Sequence, residues 1–304
     1  MSEGSNRFAE LLVEDDAYHL MSRGVLRVRG RKGREALQSL LTNEIPEGVR
    51  AATYGAVVDA EGRVAGDMLV VPDDGDLLID CDRGQAAVWI DLLRARGGDG
   101  VDVVDESGRW RVFGLLNNQS VFDDGTPYIR YADPRRHELG SRVLRPVEAR
   151  ESLSWRHEGK WRAHAYRLGV PGSEAFGRAR LDVFEAGLHG LSALHPARLE
   201  SLGLPTLEAG PSAAVRRLLP FRVEPSGPGV PAMLGEPMMG GAREVGRVVA
   251  IQGLFGLAVM ALESWRAALE SEPLLRCAGE QVLPTWPTWL GRESTGRASP
   301  AARA

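Results

Sequence analysis

Residues 67–81 constrain the fold more than any other stretch. Two short apolar runs, Asp67 to Val71 and Leu77 to Cys81, are separated by Pro72-Asp73-Asp74-Gly75-Asp76, a strong turn sequence. Such a pattern predicts a hairpin and therefore an antiparallel sheet. Helical spacing brackets it on both sides, through Ala36, Leu37, Leu40 and Leu41 in Gly33 to Leu41, and through Ala86, Val88, Trp89, Leu92 and Leu93 in Gln85 to Arg96. Further short strands are expected at Gly24 to Val28, Ala51 to Val58, Val101 to Val104 and Trp110 to Leu115, with a basic turn at Arg29 to Arg34 and a helical lead-in from Arg7 to Met21. That order implies an α+β fold with helices laid on antiparallel sheets.

Beyond Asn117 the pattern weakens. The middle, to about Pro211, is rich in Arg, His, Gly and Pro, with an extended stretch at Pro127 to Tyr131 and a helix expected near Ala197 to Leu202. After Val215 short strands return at Leu218 to Val223, Glu244 to Ile251 and Leu254 to Ala261, which predicts a small β-barrel. The expected organisation is an N-terminal region over 1–212 with two subdomains, a barrel over 213–290, and a disordered tail over 291–304, whose composition lacks apolar periodicity.

Composition narrows the function classes. The longest apolar stretch, Leu254 to Leu262, is less than half of the roughly 20 residues that a membrane helix needs. The N-terminus is acidic where a secretory signal would be basic and then apolar, so the expected location is the cytoplasm. Two cysteines, Cys81 and Cys277, form neither a disulfide framework nor a metal cage, and no metal is expected. The net charge is −4, and no arginine cluster dominates a segment, so nucleic acid is not an expected direct partner. Nucleophile-elbow, Walker A, dinucleotide-binding and zinc-protease motifs are absent from the sequence.

The informative pieces stand in a fixed order: Leu41-Thr42-Asn43-Glu44 at a helix end, Tyr54 on a strand, Asp59-Ala60-Glu61-Gly62-Arg63 at a turn, and Asp67-Met68 opening the next strand. Near the other end lie Gly241-Ala242-Arg243-Glu244-Val245-Gly246, Gly256-Leu257-Ala258 and Pro284-Thr285-Trp286-Pro287. In this order the chain resembles the folate-binding YgfZ proteins and the related glycine-cleavage T-protein, the aminomethyltransferase, over about residues 20 to 290. The family's Lys-Gly-Cys-Tyr/Phe-x-Gly-Gln-Glu loop is missing, and both cysteines lie elsewhere.

The resemblance implies a T-protein-like fold, a reduced folate such as tetrahydrofolate as ligand, and iron–sulfur proteins as partners. It associates the chain with upkeep of iron–sulfur enzymes and some tRNA modification, without the cysteine chemistry. An aminomethyltransferase and a non-catalytic scaffold on the same fold are the alternatives. Asp67 matches the carboxylate assigned the catalytic role in the T-protein, and Tyr54 a tyrosine lining its folate pocket. Thr42, Asn43, Asp59 and Arg63 belong to the matched motifs. Where the T-protein has a pterin-binding glutamate, alignment on Gly169 places Arg167, whereas alignment on Gly187 places Glu185. By themselves, Asp67 reads equally as the polar start of a strand, Tyr54 as a half-buried sheet residue, and Thr42 and Asn43 as a helix cap. Asp80 and Asp82, flanking Cys81, are expected to cap the following helix.

Overall fold

The computed structural model describes residues 17–116, 122, 125–149, 156–271 and 274–291, with the side chains of 212 and 213 left aside. The lead-in before residue 17 and the tail from 292 onward lie outside the described residues. The chain divides into two compact units that interleave in sequence. The first holds residues up to Ser39, Ile45–Tyr54 and Met68–Arg162; the second holds Leu40–Glu44, Gly55–Asp67 and the chain from Ala163. The expected border at 212/213 falls inside the second.

Within the first part of the chain come β1 (Ala17–His19), β2 (Arg23–Arg29), α1 (Gly30–Leu40), β3 (Thr53–Val58), β4 (Val64–Asp73), β5 (Asp76–Asp82), α2 (Ala86–Gly97), β6 (Asp102–Asp105), β7 (Trp110–Leu115), β8 (Ile129–Ala132), β9 (Ser141–Pro146), β10 (Arg156–His157) and α3 (Glu158–Arg167). One sheet runs β3-β4-β5-β2-β6, and a second runs β10-β1-β7-β9-β8. The β4–β5, β5–β2 and β2–β6 pairs of the first sheet and the β1–β7, β7–β9 and β9–β8 pairs of the second are antiparallel, and the short β1–β10 pair is parallel.

The expected hairpin is β4–β5, but its turn is shorter than the sequence suggested. Pro72 pairs with Leu77 and Asp73 with Asp76, leaving Asp74 and Gly75 as the connection. Both have positive φ, 44° and 90°, as a two-residue turn requires. The basic turn at Arg29 to Arg34 is instead the end of β2 and the first turn of α1, where Arg31 pairs with Glu35 at 2.7 Å one helical turn on. Ala36, Leu37 and Leu40 form the buried face of that helix, and each buried leucine contributes about 1.5–3 kcal/mol. Val88 does not belong to the buried face of α2, which presents Ala86, Trp89 and Leu93. Ala17 to His19 form a strand where a helix was expected. On β7, a Cβ at Gly114 would stand 2.5 Å from the ring of Trp161 in α3, so only glycine permits that approach.

The second unit continues with α4 (Ser173–Ala179), α5 (Pro196–Ser201) and α6 (Gly210–Ala213), then β11 (Arg216–Glu224), β12 (Pro237–Gly240), β13 (Arg243–Gln252), β14 (Phe255–Ala261), α7 (Leu262–Ser271), β15 (Leu275–Cys277) and β16 (Glu280–Pro284). The strands close a barrel in the order β11-β14-β13-β12-β15-β16. Leu219, Phe221 and Val223 alternate into its core with Met238, Val248, Ala258, Met260 and Val282. The fold is thus α+β, with antiparallel sheets and a C-terminal barrel.

Candidate functional site

Asp67 lies in the first half of β4 and is fully buried. The Ser173 hydroxyl, at the start of α4, donates to its Oδ1 at 2.5 Å. Its Oδ2 is buried and has no hydrogen-bond partner among the described residues. A buried carboxylate oxygen left in that state carries its full desolvation cost, so it is poised for a donor from elsewhere.

The other expected site residues of the second unit are held largely by backbone. Asp59 Oδ1 accepts from the amides of Glu61 (3.1 Å) and Arg63 (2.8 Å), closing the turn in which Gly62 has φ of 76°. Arg63 and Asp182 form an isolated antiparallel backbone bridge, and the Val64 amide donates to Leu181 O at 2.8 Å. Asp182 Oδ1 in turn accepts from the amides of Phe184 and Glu185. Arg63, Asp67 and Glu185 are therefore strung along the pairing of early β4 with the chain between Ser173 and Glu185. Both Glu185 oxygens are engaged by Arg216, Oε1 from Nε at 2.9 Å and Oε2 from Nη2 at 2.7 Å. Arg167 closes α3, with Nη2 3.2 Å from His164 Nδ1.

Thr42 is fully buried, and its hydroxyl donates to Ala193 O (2.8 Å) while accepting from the Ala56 amide (3.0 Å). Asn43 Nδ2 donates to Ser192 O (2.8 Å), and its Oδ1 accepts from the Glu44 amide (2.9 Å). These two residues tie three stretches of backbone together.

In the first unit Tyr54 is fully buried, where a half-buried sheet residue was one expectation. The guanidinium of Arg135 sits 5.5 Å from its ring centroid. Arg135 also donates to Asp133 Oδ2 at 2.7 Å, and Arg142 Nε reaches the same oxygen at 3.1 Å. Arg142 Nη1 then meets Asp80 Oδ2 at 2.6 Å, where the Tyr131 hydroxyl donates at 2.7 Å, and Arg23 Nε holds Asp80 Oδ1 at 2.6 Å.

Asp82 caps the 3-10 turn ahead of α2 by accepting from the Gly84 amide at 2.8 Å, as expected. Asp80 does not cap a helix; it is the buried hub of this network. Burial would raise the pKa of Asp80, but the charges of Arg142 and Arg23 outweigh it and hold the carboxyl below its usual value. Burial likewise opposes ionisation of Asp133, and Arg135 and Arg142 overcome it. Tyr131 is pushed well above the usual phenol value, by burial first and the Asp80 charge second.

The sequence reading missed this network and Ser173. One signal was available for the first: Asp80 interrupts the apolar run Leu77, Leu78, Ile79 and Cys81. No local signal marks Ser173. Both cysteines are buried, and burial, followed by the charge of Glu236, pushes the Cys277 thiol up to about 11. Among the described residues, no group of three or more His, Cys, Asp or Glu is arranged to hold a metal, and no helix is long and apolar enough to cross a membrane.

A family model described as the CAF17 C-terminal beta-barrel domain matches residues 216–292. Among solved structures, the chain is similar to the glycine cleavage system aminomethyltransferase T from Bartonella henselae. The two share 13% identity and a TM-score of 0.60, over 91% of this chain and 86% of that one. Comparison with curated proteins gives no match. At that identity the likeness carries the fold and not the activity. The chain therefore has an aminomethyltransferase T fold, and its final barrel matches that of CAF17.

Proposed function

We propose that the chain is a CAF17- and YgfZ-like protein that binds a reduced folate and serves the upkeep of iron–sulfur proteins in the cytoplasm, with a link to tRNA modification. The observation that carries the binding is the buried Oδ2 of Asp67, which has no hydrogen-bond partner among the described residues. Reduced folates present N–H donors, and a donor placed there would satisfy an oxygen that the described residues leave unmatched. The partners and the cellular role rest on the resemblance in the sequence motifs.

Part of the donor set fits less well. Glu185, the pterin contact in one alignment, has both oxygens committed to Arg216, and the other alignment offers the cation Arg167. Weak binding is the consequence, micromolar or poorer, worth about 8 kcal/mol or less. Tyr54, Thr42, Asn43, Asp59 and Arg63 are proposed as the remaining contacts, through the motifs that contain them.

An aminomethyltransferase is the second reading, favoured by the same Asp67 oxygen. Folate would carry the one-carbon group, and a buried carboxylate would stabilise positive charge developing beside it. The Glu185–Arg216 pair weighs against it.

Titration calorimetry with tetrahydrofolate tests the binding. Heat should appear in the micromolar to millimolar range, and Asp67→Asn should weaken it by about tenfold or more, as expected for loss of a charged acceptor. No heat and no thermal shift at millimolar ligand would leave a scaffold without a ligand as the surviving alternative.

A further inference from the structure

We infer that Ser173 is a positioning residue for Asp67, fixing which carboxylate oxygen is offered to a ligand and restricting that ligand group to a hydrogen-bond donor. The inference rests on the reading of Asp67 as the ligand-binding acid. Ser173 is itself buried, and its hydroxyl hydrogen can serve only one acceptor. At 2.5 Å that hydrogen is directed at Oδ1. The carboxylate is thereby held against rotation, with Oδ1 satisfied and Oδ2 left without a partner among the described residues. An approaching anion or carbonyl would meet a buried oxygen of the same sign, whereas an N–H or ammonium group would remove the desolvation penalty. Ser173 acts through Asp67 and need not touch the ligand.

A double-mutant cycle separates this role from a structural one. Tetrahydrofolate affinity would be measured by calorimetry for the intact protein, Ser173→Ala, Asp67→Asn and the double variant, with melting temperatures recorded for each. Ser173→Ala should lose about tenfold in affinity where Asp67 is present. In the Asp67→Asn background the same change should cost about twofold or less, the scatter expected of independent sites. Ser173→Thr, which keeps the hydroxyl, should restore binding. If Ser173→Ala does not fold, the near-isosteric Ser173→Cys, a weaker donor, carries the same cycle. Equal losses in the two backgrounds would overturn the positioning role and leave the folate reading intact. Absence of binding by the unmodified protein would overturn the folate reading and this inference with it.

Discussion

Asp80 shows how one side chain can matter through partners far from it in sequence. Its carboxylate meets Arg142 from 62 positions away and Arg23 from 57. Removing one member leaves the others buried and charged. Arg142→Met should therefore destabilise the protein by about 3–5 kcal/mol. Tyr131→Phe, which removes one hydrogen bond to a charged group, should cost about 1.5–3 kcal/mol. Both can be read from denaturant unfolding, and a loss under 1 kcal/mol for Arg142→Met would mean that the network is replaceable.

Titration follows from the same residues. Asp80 and Asp133 have folded pKa values below the ordinary 3.8, so the stability they add is present above that value and is lost as the pH falls further. His189 acts earlier. Burial first and the charge of Arg217 second lower its pKa from 6.5 to about 4, so its unfolded form takes up a proton in that window while the folded form does not. Its contribution is present above pH 6.5 and is lost as the pH falls to about 4. Melting temperatures measured across this window should fall less steeply for His189→Asn than for the unmodified chain, and parallel slopes would remove His189 as the cause. The pattern of Asp80 was legible in the sequence only as an acid beside a helix start, because alternation reports faces and not distant partners.

At the scale of elements, close approach makes specific demands. The Trp161 ring occupies the space that a side chain at Gly114 would need. Gly114→Ala should cost about 1–3 kcal/mol in unfolding free energy, as overpacking of a filled core does; a neutral result would show that α3 can retreat from β7. Elements with a long uninterrupted period were legible: α1, α2, β7 and the β4–β5 hairpin emerge close to where spacing and turn chemistry put them. The three-residue β15 and four-residue β12 are too short for alternation to be seen. Helix α7 was hidden for another reason. Its Leu262 continues the apolar run of β14, so the change from strand to helical period falls inside one hydrophobic stretch. Asp67 was legible from its motif, although it stands fourth in β4 and does not open the strand, but the serine that holds it lies in a segment without a motif.

For the whole molecule, the buried cysteines argue for function without thiol chemistry. Cys81 is fully buried, and the Cys277 thiol is far from ionising at neutral pH. A Cys81→Ser, Cys277→Ser double variant should complement a strain lacking the native protein, with destabilisation of about 1–3 kcal/mol from burying hydroxyls. Failure by a folded and normally abundant double variant would show that a thiol is required. The interleaving of the two units also has a temporal side. Asp67 is synthesised 106 residues before Ser173. At about 5–20 residues per second, that interval is on the order of 5–20 s, whereas a hairpin such as β4–β5 closes in about 1–10 μs. The acid thus waits in a nascent chain whose local strands have already had time to pair. Its hydration shell is surrendered only when the later chain arrives, so completion of this carboxylate waits until synthesis has passed the middle of the chain.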